Sequence, residues 1–179
     1  MSGGQIPAYI DARKAFVQET ELQGAVDLER LPRFAETLAS DKADVVVSLR
    51  FARGENGQRT ITGHLRAATE VSCQRCLEPL PVSWEDDIAL VLLEDASLAE
   101  RLEPEWDPWV WAEPKLTLAY LVEEQLLLSM PVVSYHTDQE CADKLGYVPT
   151  AATGSDAPQA QRENPFAVLK ALKKNDSND

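Results

Sequence analysis

Glycine is scarce in this chain, at eight of 179 residues, histidine scarcer at two, and cysteine numbers three. Without a glycine-rich loop there is no cradle for a nucleotide phosphate, and no nucleophile elbow occurs. Two histidines, His64 and His136, leave little material for general acid–base catalysis. Three cysteines are too few for a disulfide-built scaffold. No apolar run approaches the ~20 residues a spanning helix needs; Leu116–Val122 stops at Glu123-Glu124. The first seven residues lack a basic region followed by an apolar core, so no export signal is expected. Basic residues are also in deficit. Seventeen Lys and Arg face thirty Asp and Glu, a formal charge of −13.

That deficit is uneven. Residues 1–75 hold ten bases and ten acids, whereas residues 76–179 hold seven and twenty. Residues 78–113 carry eleven acids and one base, Arg101. Such a half repels phosphate, but screening limits its reach to roughly 8–10 Å. A local basic face can therefore still hold RNA. Arg50, Arg53, Arg59, Arg66 and Arg75 are the candidates, against the plainer reading of solvated strand faces. The acidic half could instead serve solubility or meet a basic protein.

Apolar content of 44% suits one domain with a full core. Asp11 precedes a short helical run, and Gly24–Leu28 looks like a brief strand. Leu31, Phe34 and Leu38 sit at helical spacing within 29–39. Val45–Phe51 is β-branched, and an Asn56-Gly57 turn signal leads into a long strand over 59–73. Pro79 and Pro81 break that strand, and Val82–Leu93 alternates as a third. Short turns between consecutive strands predict an antiparallel meander. The expected fold class is α+β, with an antiparallel sheet that could close into a barrel. Residues 96–108 read as an acidic loop and 109–111 as a short strand, with Trp106, Trp109 and Trp111 read as core in preference to base-stacking platforms. Thr117 is a plausible cap for a helix that Pro131 ends. This domain covers 1–148. Residues 149–163 have linker composition, and 164–174 form a docking helix that starts at Asn164-Pro165, with Phe166, Leu169 and Leu172 as its apolar stripe. So short a helix cannot stand alone in water and must dock, in cis or on a partner.

Cys73-Gln74-Arg75-Cys76 is the sharpest local signal. Two thiolates so spaced can bind one Zn²⁺, which then needs two further ligands. His136 and Cys141 are the candidates, giving Cys-x₂-Cys…His-x₄-Cys, provided that the strand end and the post-helix segment meet. The alternatives are a pair of reduced thiols or a redox dithiol. The latter wants a helix N-terminus in a βαβ setting, which this pair lacks. Paired acids such as Asp86-Asp87 and Glu123-Glu124 read as solvated faces.

Glu70–Leu80 around the Cys pair resembles the signature of the YceD family, the large ribosomal RNA subunit accumulation proteins. Leu118–Val133, with Val122-Glu123-Glu124 at its centre and Met130-Pro131-Val132-Val133 as its exit, is similar to that family's acidic helix. His136–Cys141 and Asn164–Leu169 resemble its later segments. The resemblance implies a bacterial cytoplasmic protein that is not an enzyme and acts in 23S rRNA synthesis, processing or stability. It marks Cys73, Arg75, Cys76, Asn164, Pro165 and Phe166 as functional positions. Expected partners are the 23S rRNA precursor or large-subunit assembly intermediates. The rivals are an acidic adaptor for ribosomal proteins and a Cys-x-x-Cys oxidoreductase.

Overall fold

The computed structural model describes residues 4–54, 57–137 and Cys141. The expected linker 149–163 and docking helix 164–174 lie outside them. Three long strands dominate: β3 (Leu38–Arg53), β4 (Arg59–Ser72) and β5 (Pro79–Leu93). They pair antiparallel in chain order, so the expected meander is present. Gly57, at φ +73°, takes the left-handed conformation in the β3–β4 connection, as glycine does without a Cβ penalty. β2 (Glu21–Ala25) adds antiparallel to β3, and β6 (Asp107–Val110) adds parallel to β5. A separate ribbon pairs β1 (Tyr9–Asp11) with β7 (Lys115–Thr117).

Alternation decides which face is buried. Val45, Val47, Leu49 and Phe51 of β3 stand on one face with Leu65 and Ala67 of β4 and Ile88, Leu90 and Leu92 of β5. Against them pack α1 (Ala12–Val17), α2 (Pro32–Ala35) and α3 (Leu118–Ser129), through Phe16, Phe34, Leu118, Leu121, Val122 and Leu126. The opposite face carries Ser48, Arg50, Thr62, His64, Arg66, Glu85 and Asp87 and is open to water along most of its length. At one end a 3₁₀ turn (Ala96–Arg101) packs beside β5 and β6.

The sheet is not a barrel. Closure requires the two outermost strands to bond to each other. Here the far side of β2 is taken by residues 4–6, whose Ile6 N–H donates to Ala25 at 3.0 Å while Ala25 donates to Gly4 at 3.2 Å. The sequence expectations also shift locally. The strand expected at 24–28 begins three residues earlier. The helix expected over 29–39 is a 3₁₀ turn (Leu28–Arg30) followed by the single turn of α2, because Leu38 is already paired with Val71 in the sheet. β5 begins at Pro79 despite its two prolines. Both sit where, among the described residues, β5 has no outer strand neighbour, since β6 pairs only with Leu90–Leu93. A proline there removes no ladder bond.

α1 starts as expected: the Asp11 carboxylate accepts from the Lys14 amide at 3.0 Å. Thr117 precedes α3 without a side-chain cap bond. The larger departure is Glu123. It is buried at 4% exposure and accepts from the amides of Arg33 at 2.8 Å and Phe34 at 3.2 Å. These are the second and third residues of α2, whose N-cap position is Leu31 and offers no side-chain acceptor. Glu123 therefore supplies the cap from another helix. Its neighbour Glu124 pairs with the Arg33 guanidinium.

Replacing Glu123 by Ala should cost about 1–3 kcal/mol, because two helix-start donors lose their acceptor inside the protein. Glu123→Gln, which keeps a carbonyl oxygen there, should cost less. Urea unfolding of the two variants measures the difference.

Candidate metal centre

Ser72 pairs with Pro79, so Cys73–Glu78 form the connection between β4 and β5. The Cys73 amide donates to the Glu78 carbonyl at 2.9 Å, and the Leu77 amide donates to the Cys73 carbonyl at 2.9 Å. Leu77 completes the turn at φ +62°, a conformation that few residues with a Cβ adopt. The turn rolls the Arg75 amide toward the Cys73 sulfur, at 3.4 Å.

The second half of the site follows α3. After Met130 the chain leaves the helix and runs irregularly past this connection. Gln74 joins the two: its amide donates to the Ser134 carbonyl at 2.9 Å, and its side-chain Nε2 to the Val132 carbonyl at 3.0 Å. The Arg75 guanidinium lies 4.1 Å over the Tyr135 ring. Here the strand end and the post-helix segment meet, as the Cys₃His reading requires. Cys73 Sγ is 3.5 Å from Cys141 Sγ, and Cys76 Sγ is 3.4 Å from His136 Nδ1. All four donor atoms fall within 4.8 Å of one another. With Zn–S about 2.3 Å and Zn–N about 2.0 Å, the edges of a tetrahedron are about 3.5–3.8 Å. These two separations match or fall just short of that range, and the donor types are those zinc prefers.

Charge is arranged to suit a cation. Burial would push the Cys73 thiol up, yet its pKa is lowered to about 5. The backbone amides of Cys76, Arg75 and His136, and the Cys141 thiol, all donate toward its sulfur. Cys141 is pushed up to about 11, first by burial and then by hydrogen bonding with Cys73 and Cys76. Cys73 and Cys141 are buried, while Cys76 and His136 are partly exposed. The Cys73/Cys76 pair sits between two antiparallel strands and does not open a helix, the position that activates a redox dithiol.

The five candidate arginines do not converge. Arg53 and Arg59 face each other across one end of the β3–β4 hairpin, with Arg59 bound to Glu94 at 3.2 Å. Arg50, on the open face, lies 3.6 Å from Glu21 and 3.9 Å from Glu19. Arg66 shares that face and stands opposite Glu85. Arg75 is beyond the other end of β4, roughly 40 Å from Arg59 at ~3.3 Å per residue. Trp109 is buried, and with Trp111 it packs on Tyr120, so these two are core as expected. Asn164, Pro165 and Phe166 lie outside the described residues. Two residues carry more than their sequence context signals. Gln74 tethers the two half-sites, and Trp84, partly buried, donates to Ser129 at 3.1 Å and packs edge-on to Phe34.

A family model described as large ribosomal RNA subunit accumulation protein YceD matches residues 61–173, a span that includes all four cluster residues. The chain belongs to the YceD family. A Haemophilus influenzae member, named large ribosomal RNA subunit accumulation protein YceD, is 25% identical over 175 residues, covering 94% of this chain and 97% of its own. No solved structure matches. Among the described residues no helix is long and apolar enough to cross a membrane. In this YceD-family chain the Cys-x-x-Cys pair, its most legible motif, is thus one half of a four-donor cluster.

On the open face His64 Nδ1 lies 2.9 Å from the Asp87 carboxylate, and its Nε2 lies 3.7 Å from Glu85. The His64 pKa is raised, chiefly by the Asp87 hydrogen bond, with both carboxylates adding charge attraction. A raised folded-state value means that the pair's stabilisation is complete below the unfolded histidine pKa of about 6.5. It is lost as pH rises through the folded value. An NMR titration of His64 should give a pKa above that of a free histidine, and Asp87→Asn should move it back.

Proposed function

We propose that this chain is a non-enzymatic factor in the accumulation of large-subunit ribosomal RNA. It acts by binding the 23S rRNA precursor or an assembly intermediate in the cytoplasm. The supporting observation is the four-donor cluster at the tip of the β4–β5 connection. Cys73, Cys76, His136 and Cys141 would hold one Zn²⁺. The ion would supply a structural cross-link between the strand connection and the post-helix segment. Arg75 then stands at a braced point of the surface. Its guanidinium, stacked on Tyr135, keeps donors free for phosphate, as a planar fork does. Arg66 contributes less, since Glu85 stands opposite. The family name supports the rRNA role, and the scarcity of catalytic residue types agrees with binding in place of chemistry.

Two measurements test the parts separately. Purified full-length protein should carry one zinc per chain by elemental mass spectrometry. Cys73→Ser and Cys141→Ser should each lose most of it and melt several degrees lower. A metal-free wild type as stable as the metal-loaded one would remove zinc from the proposal.

For RNA, in-cell ultraviolet crosslinking should yield discrete 23S precursor peaks. In vitro, Arg75→Ala with Arg66→Ala should weaken binding. The slope of log K against log salt should fall by about one to two, one for each phosphate no longer neutralised. An unchanged slope would take both arginines out of the RNA-binding surface.

A further inference from the structure

The outer edge of β5 is open over most of its length. Among the described residues β6 occupies only Leu90–Leu93. Among these residues no other strand continues the row that β6 begins alongside Pro79–Ile88. The direction of each backbone group follows from one bond. The Trp111 amide donates to the Leu93 carbonyl at 2.9 Å, so Leu93 faces outward. The β4–β5 register runs without a shift from Ser72/Pro79 to Arg59/Leu92. Every second residue before Leu93 therefore faces outward too: along the vacant row these are Ala89, Asp87, Glu85, Ser83, Pro81 and Pro79. The two prolines fall on outward positions, where they lack a donor. Ser83, Glu85 and Asp87 offer both N–H and C=O to that row, and Ala89 offers its N–H, since the Leu90–Asp107 pairing takes the Ala89 carbonyl; the span is about 20 Å.

The edge strand is acidic, although Arg66 on β4 stands opposite Glu85 and His64 lies 2.9 Å from Asp87. Glu85, Asp86 and Asp87 lie on the edge strand itself. Asp107 pairs with Leu90 and so stands where the vacant row meets β6. There is no lysine or arginine from Pro79 to Glu94. Open edges invite pairing, and charge on them is a common defence. Here the defence is selective. A second copy of this chain, at −13 and with the same acidic edge, is repelled. An extended segment rich in lysine or arginine is attracted.

We propose that the Ser83–Ala89 edge of β5 receives a basic, extended peptide as an added strand, continuing the row that β6 begins. The ladder supplies affinity and the acidic residues supply choice of partner. This site is separate from the Cys/His cluster and stands whether or not that cluster holds metal.

The test uses the full chain and an eight-residue peptide alternating Arg and Val, with fluorescence anisotropy at low salt. Its all-Glu counterpart should not bind. Glu85→Gln with Asp87→Asn should weaken binding about tenfold and flatten its salt dependence. A peptide N-methylated at alternate residues keeps its charge but loses its ladder donors, and should lose binding. Amide exchange should slow at Ser83, Glu85, Asp87 and Ala89 when the unmodified peptide is added. Equal binding of the N-methylated peptide, or protection confined to other amides, would overturn the proposal. So would protection of these four amides by an RNA oligonucleotide in place of the peptide.

Discussion

Period-two alternation along β3, β4 and β5 is the constraint on which the other features depend. A slip of one residue would turn Leu65 to water and Arg66 into the core. Burial of Val47, Leu65 and Leu90 on a single face forbids it. The same register sets where β4 ends, and so where the cysteine connection emerges. It also sets which backbone groups of β5 face β4 and which face outward. Fold, Cys/His cluster and open edge are thus three readings of one pairing pattern.

The cluster depends on a second, longer-range closure. Its first half is local, because Cys73 and Cys76 share one tight connection. Its second half is about 60 residues away in sequence and arrives only because α3 packs across the sheet. Glu123 belongs to that closure. By capping α2 from within α3 it ties one helix's placement to the other's start, and the exit of α3 delivers Ser134 to Gln74. The donor set is therefore supported by buried elements on both sides, although Cys76 and His136 are themselves partly exposed.

Much of this was legible in residues. β-branching at Val45–Val47, the even spacing of Ile88, Leu90 and Leu92, and Asp11 before Ala12 point directly to β3, β5 and α1. His136 and Cys141 could be paired with Cys73 and Cys76 by donor chemistry, but their meeting needed the path of α3. Glu123 was illegible because an acidic pair on a helix looks solvated, and the amides that donate to it lie about 90 residues earlier. Pro79 and Pro81 signalled a break because proline opposes a ladder, and nothing local says that their side of the strand is vacant. For β6 to run parallel to β5 the chain must double back through the acidic stretch after β5, where no periodicity marks it.

The distance between the half-sites also has a consequence in time. The chain is made from its N-terminus, so Cys73 and Cys76 are synthesised long before His136 and Cys141. The sheet can pair through β5 while the cysteine connection still lacks its later donors. A chain that ended before residue 141 would leave Cys73, buried here, without the Cys141 sulfur that lies 3.5 Å from it. The full set of four donors thus exists only once translation has passed residue 141.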